Sequence, residues 1–176
     1  MAETRWLTAE QQTAWRVLVA FTTRLPAALD TQLQKDSGLT HFDYFVLSTL
    51  SEAPGRRLQL RVLADFANAS LSRLSHVMTK LEKAGWARRE TTPGVRGSQA
   101  VLTDAGHAKV VDTAPGHVDT VQSLVFDGLD DEQVRTLTEL GTTLLDTLDA
   151  GIARGRRQLF FSSRRRHTRL TCDWSS

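Results

Sequence analysis

The stretch SLSRLSHVMTKLEKAGWARRE, residues 70–90, holds two hydrophobic periods back to back. Leu71, Leu74, Val77, Met78 and Leu81 recur every three or four residues, within about 120° of one face of an α-helix. Ser72, His76, Thr79 and Lys83 fall on the opposite face, with Arg73 and Lys80 beside them. Ser70 carries the hydroxyl an N-cap needs, and Gly85 the backbone freedom of a C-terminal stop. From Trp86 the period drops to two. WARRETT (86–92) and SQAVLT (98–103) read as strands joined by PGVRG (93–97).

Working upstream, NAS (68–70) is a turn, and a short helix from about Leu60 to Ala67 precedes it, with Leu63, Ala64 and Phe66 or Ala67 available to pack. RRLQL (56–60) is brief and extended. Thr40 with Asp43 caps the helix HFDYFVLSTLSEA (41–53), which Pro54-Gly55 stops. Thr8 with Gln11 caps a long first helix that ends at Gly38, with Pro26 predicting a kink inside it. Downstream, Thr103 caps DAGHAKVVDTA (104–114), interrupted at Pro115-Gly116 and continued as HVDTVQSLVF (117–126). The last helix opens at Asp130 with Gln133, and its stripe is Val134, Leu137, Leu140, Leu144, Leu145 and Leu148. The fold class expected is mainly α with a small β-hairpin wing: a winged helix-turn-helix flanked by long helices. The domains expected are an N-terminal dimerisation helix (1–38), the winged helix (39–103) and C-terminal dimerisation helices (104–150). A winged helix of that size needs little more to fold, so amphipathic helices at both ends point to a homodimer.

Composition narrows the function. The chain has 176 residues, 40% of them hydrophobic, enough for one domain with an appended dimerisation element. Its start is polar and acidic, unlike a secretory leader, and no apolar run approaches the roughly 20 residues of a membrane helix. The single cysteine, Cys172, makes no disulfide framework, so a cytoplasmic setting is expected. The net charge of +2 is unevenly spread: residues 54–109 carry +6, while 1–53 carry −2 and 110–158 carry −5. A basic island in an acidic body suits a nucleic-acid face. The outer face at 70–83 supports this, because solvated helices more often pair Glu with Lys one turn apart. Here short hydroxyls (Ser72, Ser75, Thr79) let a backbone approach base edges, and Arg73, His76 and Lys80 can reach bases or phosphates. Double-stranded DNA is the expected partner. Specificity is assigned to Ser72, Arg73, His76 and Lys80, and positioning to Ser70, Thr79, Lys83 and Arg88. The rival reading is a winged helix that binds protein instead.

The stretches GLTHFDYFVLSTLSEAPGRRLQLRVLADFANASLSRLSHVMTKLEKAGWARRE (38–90) and RGSQAVLTDAGHAKV (96–110) resemble MarR-type transcriptional regulators, from about Leu7 to Leu148. The resemblance implies a homodimer whose outer helices intertwine and whose two lobes straddle DNA, as a repressor of a near-palindromic operator. It also places Arg96 at a wing tip that enters the minor groove. The family usually has an acid before that arginine; the loop here, TTPGVRG (91–97), has none. Of Arg88 and Arg89, one is expected on a phosphate and the other in an ion pair with Glu90 or Glu82. Many relatives are switched by a small-molecule effector. Trp15, Phe42 and Phe45 would either line its cleft or belong to the core.

No cofactor or metal is expected, since the histidines in the body (41, 76, 107, 117) form no ligand pair at helical spacing and no CxxC occurs. No nucleophile motif or phosphate loop suggests an enzyme. Residues 159–176, with three consecutive arginines, lack periodicity. They resemble translated sequencing-adapter DNA found at the ends of unrelated chains. They are expected to be an unstructured, non-native tail, without which the net charge is −1.

Overall fold

The computed structural model describes residues 4–91 and 97–159. They form two compact units, one up to Leu124 and one from Val125. In the first, α1 (Ala9–Ser37) opens on a reciprocal cap: the Gln11 N–H donates to Thr8 Oγ1 at 3.2 Å, and the Thr8 N–H to Gln11 Oε1 at 3.0 Å. It runs through Pro26 as one helix and ends where Gly38 turns left-handed, φ 68°. Within the unit its buried residues are Leu29 and Leu33. Next, α2 (His41–Glu52) starts on the Thr40–Asp43 box. A tight turn at Pro54–Arg56 leads to β1 (Arg57–Gln59), α3 (Leu60–Phe66) and α4 (Leu71–Lys83). Asn68 takes φ 44° between α3 and α4, a left-handed state that asparagine tolerates. At the far end of α4, the Gly85 and Trp86 N–H groups donate back to the Glu82 and Leu81 carbonyls, a Schellman stop with Gly85 at φ 75°.

The wing is a three-stranded antiparallel sheet of order β1-β3-β2, with β2 at Ala87–Thr91 and β3 at Ser98–Leu102. The sequence anticipates the hairpin and the extended RRLQL. It does not anticipate that β1 pairs with β3, Arg57 facing Val101 and Gln59 facing Gln99. Beyond the sheet, α5 (Asp104–Val121) is continuous through Pro115, where an interruption was expected. The lost bond is the one to the Val111 carbonyl, on a residue 58% exposed, where water can replace the missing donor. A π-helical segment, Gln122–Phe126, follows.

One core joins α1 to α5 and the sheet: Leu33, Leu39, Tyr44, Val46, Leu47, Leu50, Leu63, Leu74, Met78, Leu81, Leu102 and Val110 among others. Of the α4 stripe, Leu74, Met78 and Leu81 are fully buried, so the opposite face must look outward. In the second unit, α6 (Asp131–Leu159) begins with the Asp130–Gln133 box at 2.8 and 3.0 Å. It reaches Leu159, the first residue assigned to the tail by sequence, and the remaining tail lies outside the described residues.

Candidate nucleic-acid interface

Around α4 the exposed side chains divide into three strips. Taking about 100° per residue, Ser72, Thr79, Lys83 and His76 lie within roughly 60° of one another on the central ridge. Arg73 and Lys80 lie to one side, Ser75 and Glu82 to the other.

The first flank is tied to α2. The Arg73 guanidinium sits 4.3 Å above the centre of the Phe42 ring, a cation–π contact that fixes the stem while leaving the residue exposed. Lys80 donates to Asp43 Oδ2 at 2.5 Å. Asp43 is 1% exposed, and the same oxygen accepts the Thr40 N–H at 2.8 Å. The Lys80 ammonium therefore supports the cap of α2, while its side chain stays half-exposed on the outer face where the sequence reading puts it.

The other flank is tied to the wing. Arg89, on β2, donates to Glu82 Oε2 at 2.5 Å, to the Ser75 carbonyl at 2.6 Å, and to the Ser75 and Thr79 hydroxyls at 3.2 Å. Glu82 also accepts the Arg89 backbone N–H at 2.8 Å. Arg89 is thus the structural partner of Glu82, one of the two pairings left open by sequence. Arg88 pairs with Glu90 at 2.7 Å, and Arg57 reaches the same carboxylate at 3.6 Å. Arg88 is half-exposed but not unpaired. Ser70 spends its hydroxyl on the Arg73 N–H at 3.1 Å, as the N-cap of α4.

On α4, Ser72, His76 and Lys83 remain exposed, with no hydrogen bond or ion pair among the described residues. Arg61 on α3 is exposed and unpaired in the same sense. Sequence reasoning missed Arg61. Its signal was the basic run RRLQLR (56–61), where Arg56 turns to Asp104 at 3.1 Å and Arg57 to Glu90. Arg96 and the wing tip lie outside the described residues.

The three aromatic residues suggested for an effector cleft do not come together. Phe42 and Phe45 are half-buried on α2, and Phe42 packs on the core that holds Leu33. Trp15 is 57% exposed, and lies about 27 Å along α1 from Leu33 at 1.5 Å per residue. An apolar groove of about 330 Å³ lies elsewhere, lined by Ala20, Phe21, Arg24, Leu25, Ala28 and Leu124. No cluster of three or more His, Cys, Asp or Glu suited to a metal occurs among the described residues, nor does any helix long and apolar enough to cross a membrane.

Comparison with known proteins places this geometry. No protein-family model and no curated protein sequence matches the chain. Solved structures do. Sco3205, a MarR family transcriptional regulator from Streptomyces coelicolor crystallised in complex with DNA, is 47% identical, with 83% of this chain and 92% of that one covered, at a TM-score of 0.78. AbsC, a MarR family transcriptional regulator from the same organism, is 37% identical, with 84% and 99% covered and a TM-score of 0.77. The oxidised form of MarR from E. coli shares the fold at 20% identity and a TM-score of 0.62, with 80% and 96% covered. The chain belongs to the MarR family of transcriptional regulators.

Proposed function

We propose that the protein binds double-stranded DNA as a homodimer and represses transcription by covering promoter DNA. The observation that carries the reading is the bare ridge Ser72–His76–Lys83, held in place by ionic clamps on both sides and set in the basic segment of the chain. A helix so fixed presents short and basic side chains to a major groove without loosening its own supports. The solved complex of the 47% identical relative with DNA supports the same reading. On the reading proposed for this chain, Ser72, Arg73 and His76 read bases, Lys83 and Arg61 contact phosphate, and Arg96 reaches the minor groove. Ser70, Ser75, Thr79, Lys80 and Arg89 hold the helix in place, and Arg88 acts from the base of the wing.

Dimerisation belongs to the proposal. Trp6, Trp15, Val17, Leu18, Val19 and Phe21 stand exposed in the first unit, and Leu137, Leu140, Leu144, Leu145 and Leu148 in the second. Exposed large apolar side chains in such number on a helix are what a partner surface covers. Two lobes about one helical turn of DNA apart would read a near-palindrome. A small-molecule effector would release the dimer by changing that spacing.

Selection of bound sequences from random duplexes at low salt tests the reading. An enriched, near-palindromic motif is expected; no enrichment overturns it in favour of a protein-binding winged helix. On the selected operator, His76→Ala is expected to cost roughly 1–3 kcal/mol and little on random DNA. Lys83→Ala is expected to weaken both alike and reduce the salt slope by about one unit, read from affinities at several salt concentrations. Leu140→Glu with Leu144→Glu is expected to convert the dimer to a monomer in light scattering, and operator binding should fall with it.

A further inference from the structure

Where α1, α2 and α5 meet, five buried side-chain polar atoms have no protein hydrogen-bond partner: Gln32 Oε1, His41 Nδ1, the Tyr44 hydroxyl, Thr113 Oγ1 and His117 Nδ1. The His41 and His117 rings are 6.3 Å apart, and the Tyr44 ring lies 4.7 Å from His117. Tyr44, Thr113 and His117 are each at most 9% exposed. Such a cluster closes well only while both imidazoles are neutral, because two cations at that spacing in a desolvated corner repel each other.

The surrounding carboxylates offer little charge to hold a proton. On α1, Asp30 accepts the His41 backbone N–H at 2.8 Å, and Asp36 is held by the Gln32 amide. On α2, Asp43 is engaged by Lys80, and Glu52 acts on Tyr44. On α5, Asp112 and Asp119 are exposed and lie about 140° and 160° around the helix from His117. Burial holds both histidines below the ordinary value of about 6.5; the Asp30 charge opposes this at His41, and His41 reinforces it at His117.

The position of His41 gives the cluster a reach. The next residue, Phe42, carries Arg73 on its ring, and the one after, Asp43, holds Lys80. We propose that His41 and His117 form a proton-operated latch between α5 and the first turn of α2, and that proton uptake opens it and loosens α4, weakening DNA binding. The sign follows from which form the closed state needs. With folded-state values below the ordinary one, closure is fully stable above about pH 6.5 and is lost as pH falls below it.

The DNA arm rests on the function proposed above, so the test has one arm without DNA. Histidine ring signals of the full chain are followed by NMR from about pH 8 to about pH 5, assigned with single His→Gln variants. Operator affinity is measured over the same range in a His76→Gln background, which removes the groove-facing imidazole. Two rings titrating below about 6.5 are expected, with affinity falling by up to about tenfold per pH unit for each proton taken up. His41→Gln with His117→Gln should flatten that fall. Should the pair not fold, His117→Phe, which keeps the ring against Tyr44, should halve its slope. Both rings titrating at the ordinary value overturn the latch, as does an unchanged pH profile in a folded variant. A chain that binds no DNA at neutral pH, yet shows the depressed ring titrations and melts earlier in acid than its variants, refutes the DNA reading and keeps the latch.

Discussion

Replacing Gly106 by alanine is expected to lower the melting temperature of the chain by about 10 °C. Gly106 lies in the first turn of α5, and its N–H donates to the Thr103 cap at 3.0 Å. The same threonine stitches the turn to the wing base: its N–H donates to the Trp86 carbonyl at 3.1 Å and its hydroxyl to the Gly85 carbonyl at 2.7 Å. The Trp86 carbonyl therefore lies directly over Gly106. A Cβ there would meet that oxygen at 2.0 Å and Leu102 Cδ1 at 2.8 Å. The backbone of Trp86 cannot swing aside without breaking the Schellman stop of α4 and the Thr103 bonds together. Overpacking against an immovable group is among the few single changes that cost about 4 kcal/mol or more. That is a large part of the 5–15 kcal/mol typical of a domain, and a melting-temperature drop of about 10 °C for a chain this long. Gly151→Ala is the contrast. Beyond the helix's own nearby backbone, no heavy atom lies within 4 Å of a Cβ built at Gly151, so the change should stabilise α6 by about 0.5–1 kcal/mol. Thermal melts of the two variants beside the parent chain decide it. A Gly106→Ala protein that melts within about 2 °C of the parent would show that the Trp86 carbonyl is not where the structure has it.

These glycines also show where sequence reading succeeds and stops. The caps at Thr8, Thr40, Ser70, Thr103 and Asp130 are legible because each is settled within four residues. The α4 stripe is legible because burial repeats with the helix. The pairing of β1 is not legible: three residues of no strong pattern find their partner some 40 positions on. Continuity through Pro115 depends on where the Val111 carbonyl points, which is a matter of tertiary exposure. The same limit governs the interface. Sequence places Arg73, Lys80 and His76 on the outer face of one helix, and cannot tell that Lys80 has a partner 37 residues away in Asp43 while His76 has none among the described residues. The choice between Glu82 and Glu90 for Arg89 is likewise decided in three dimensions, where the Arg89 guanidinium on β2 meets Glu82 on α4 while Glu90 takes Arg88. The buried histidine cluster joins positions 41 and 117, a separation at which no local pattern survives.

Replacing Lys80 by methionine is expected to separate holding a recognition helix from reading DNA with it. The methionine keeps the stem packed and removes the ammonium. Asp43 would then be a buried carboxylate with the Thr40 N–H as its remaining hydrogen-bond donor. Removing one partner of a fully buried ion pair costs about 3–5 kcal/mol; Lys80 is half-exposed, so water offsets part of this and about 2–3 kcal/mol is expected. Asp43→Ala alone loses the capping box as well as the pair, and should cost a similar amount. The two changes share one interaction, so the double variant should be about 1–2 kcal/mol more stable than the sum of the singles predicts. Denaturant titration of the four proteins measures that coupling, and additive losses would place the Lys80 ammonium in solvent. DNA binding supplies the second reading. A lysine that contacts bases would lose operator affinity and leave random DNA untouched, as expected of His76→Ala. A lysine that holds α4 against α2 should lower both affinities together, and methionine at 80 should be partly rescued by Asp43→Asn, which removes the uncompensated charge and keeps an acceptor for the Thr40 N–H. Loss confined to the operator, with no rescue by Asp43→Asn, would return Lys80 to the base-reading ridge.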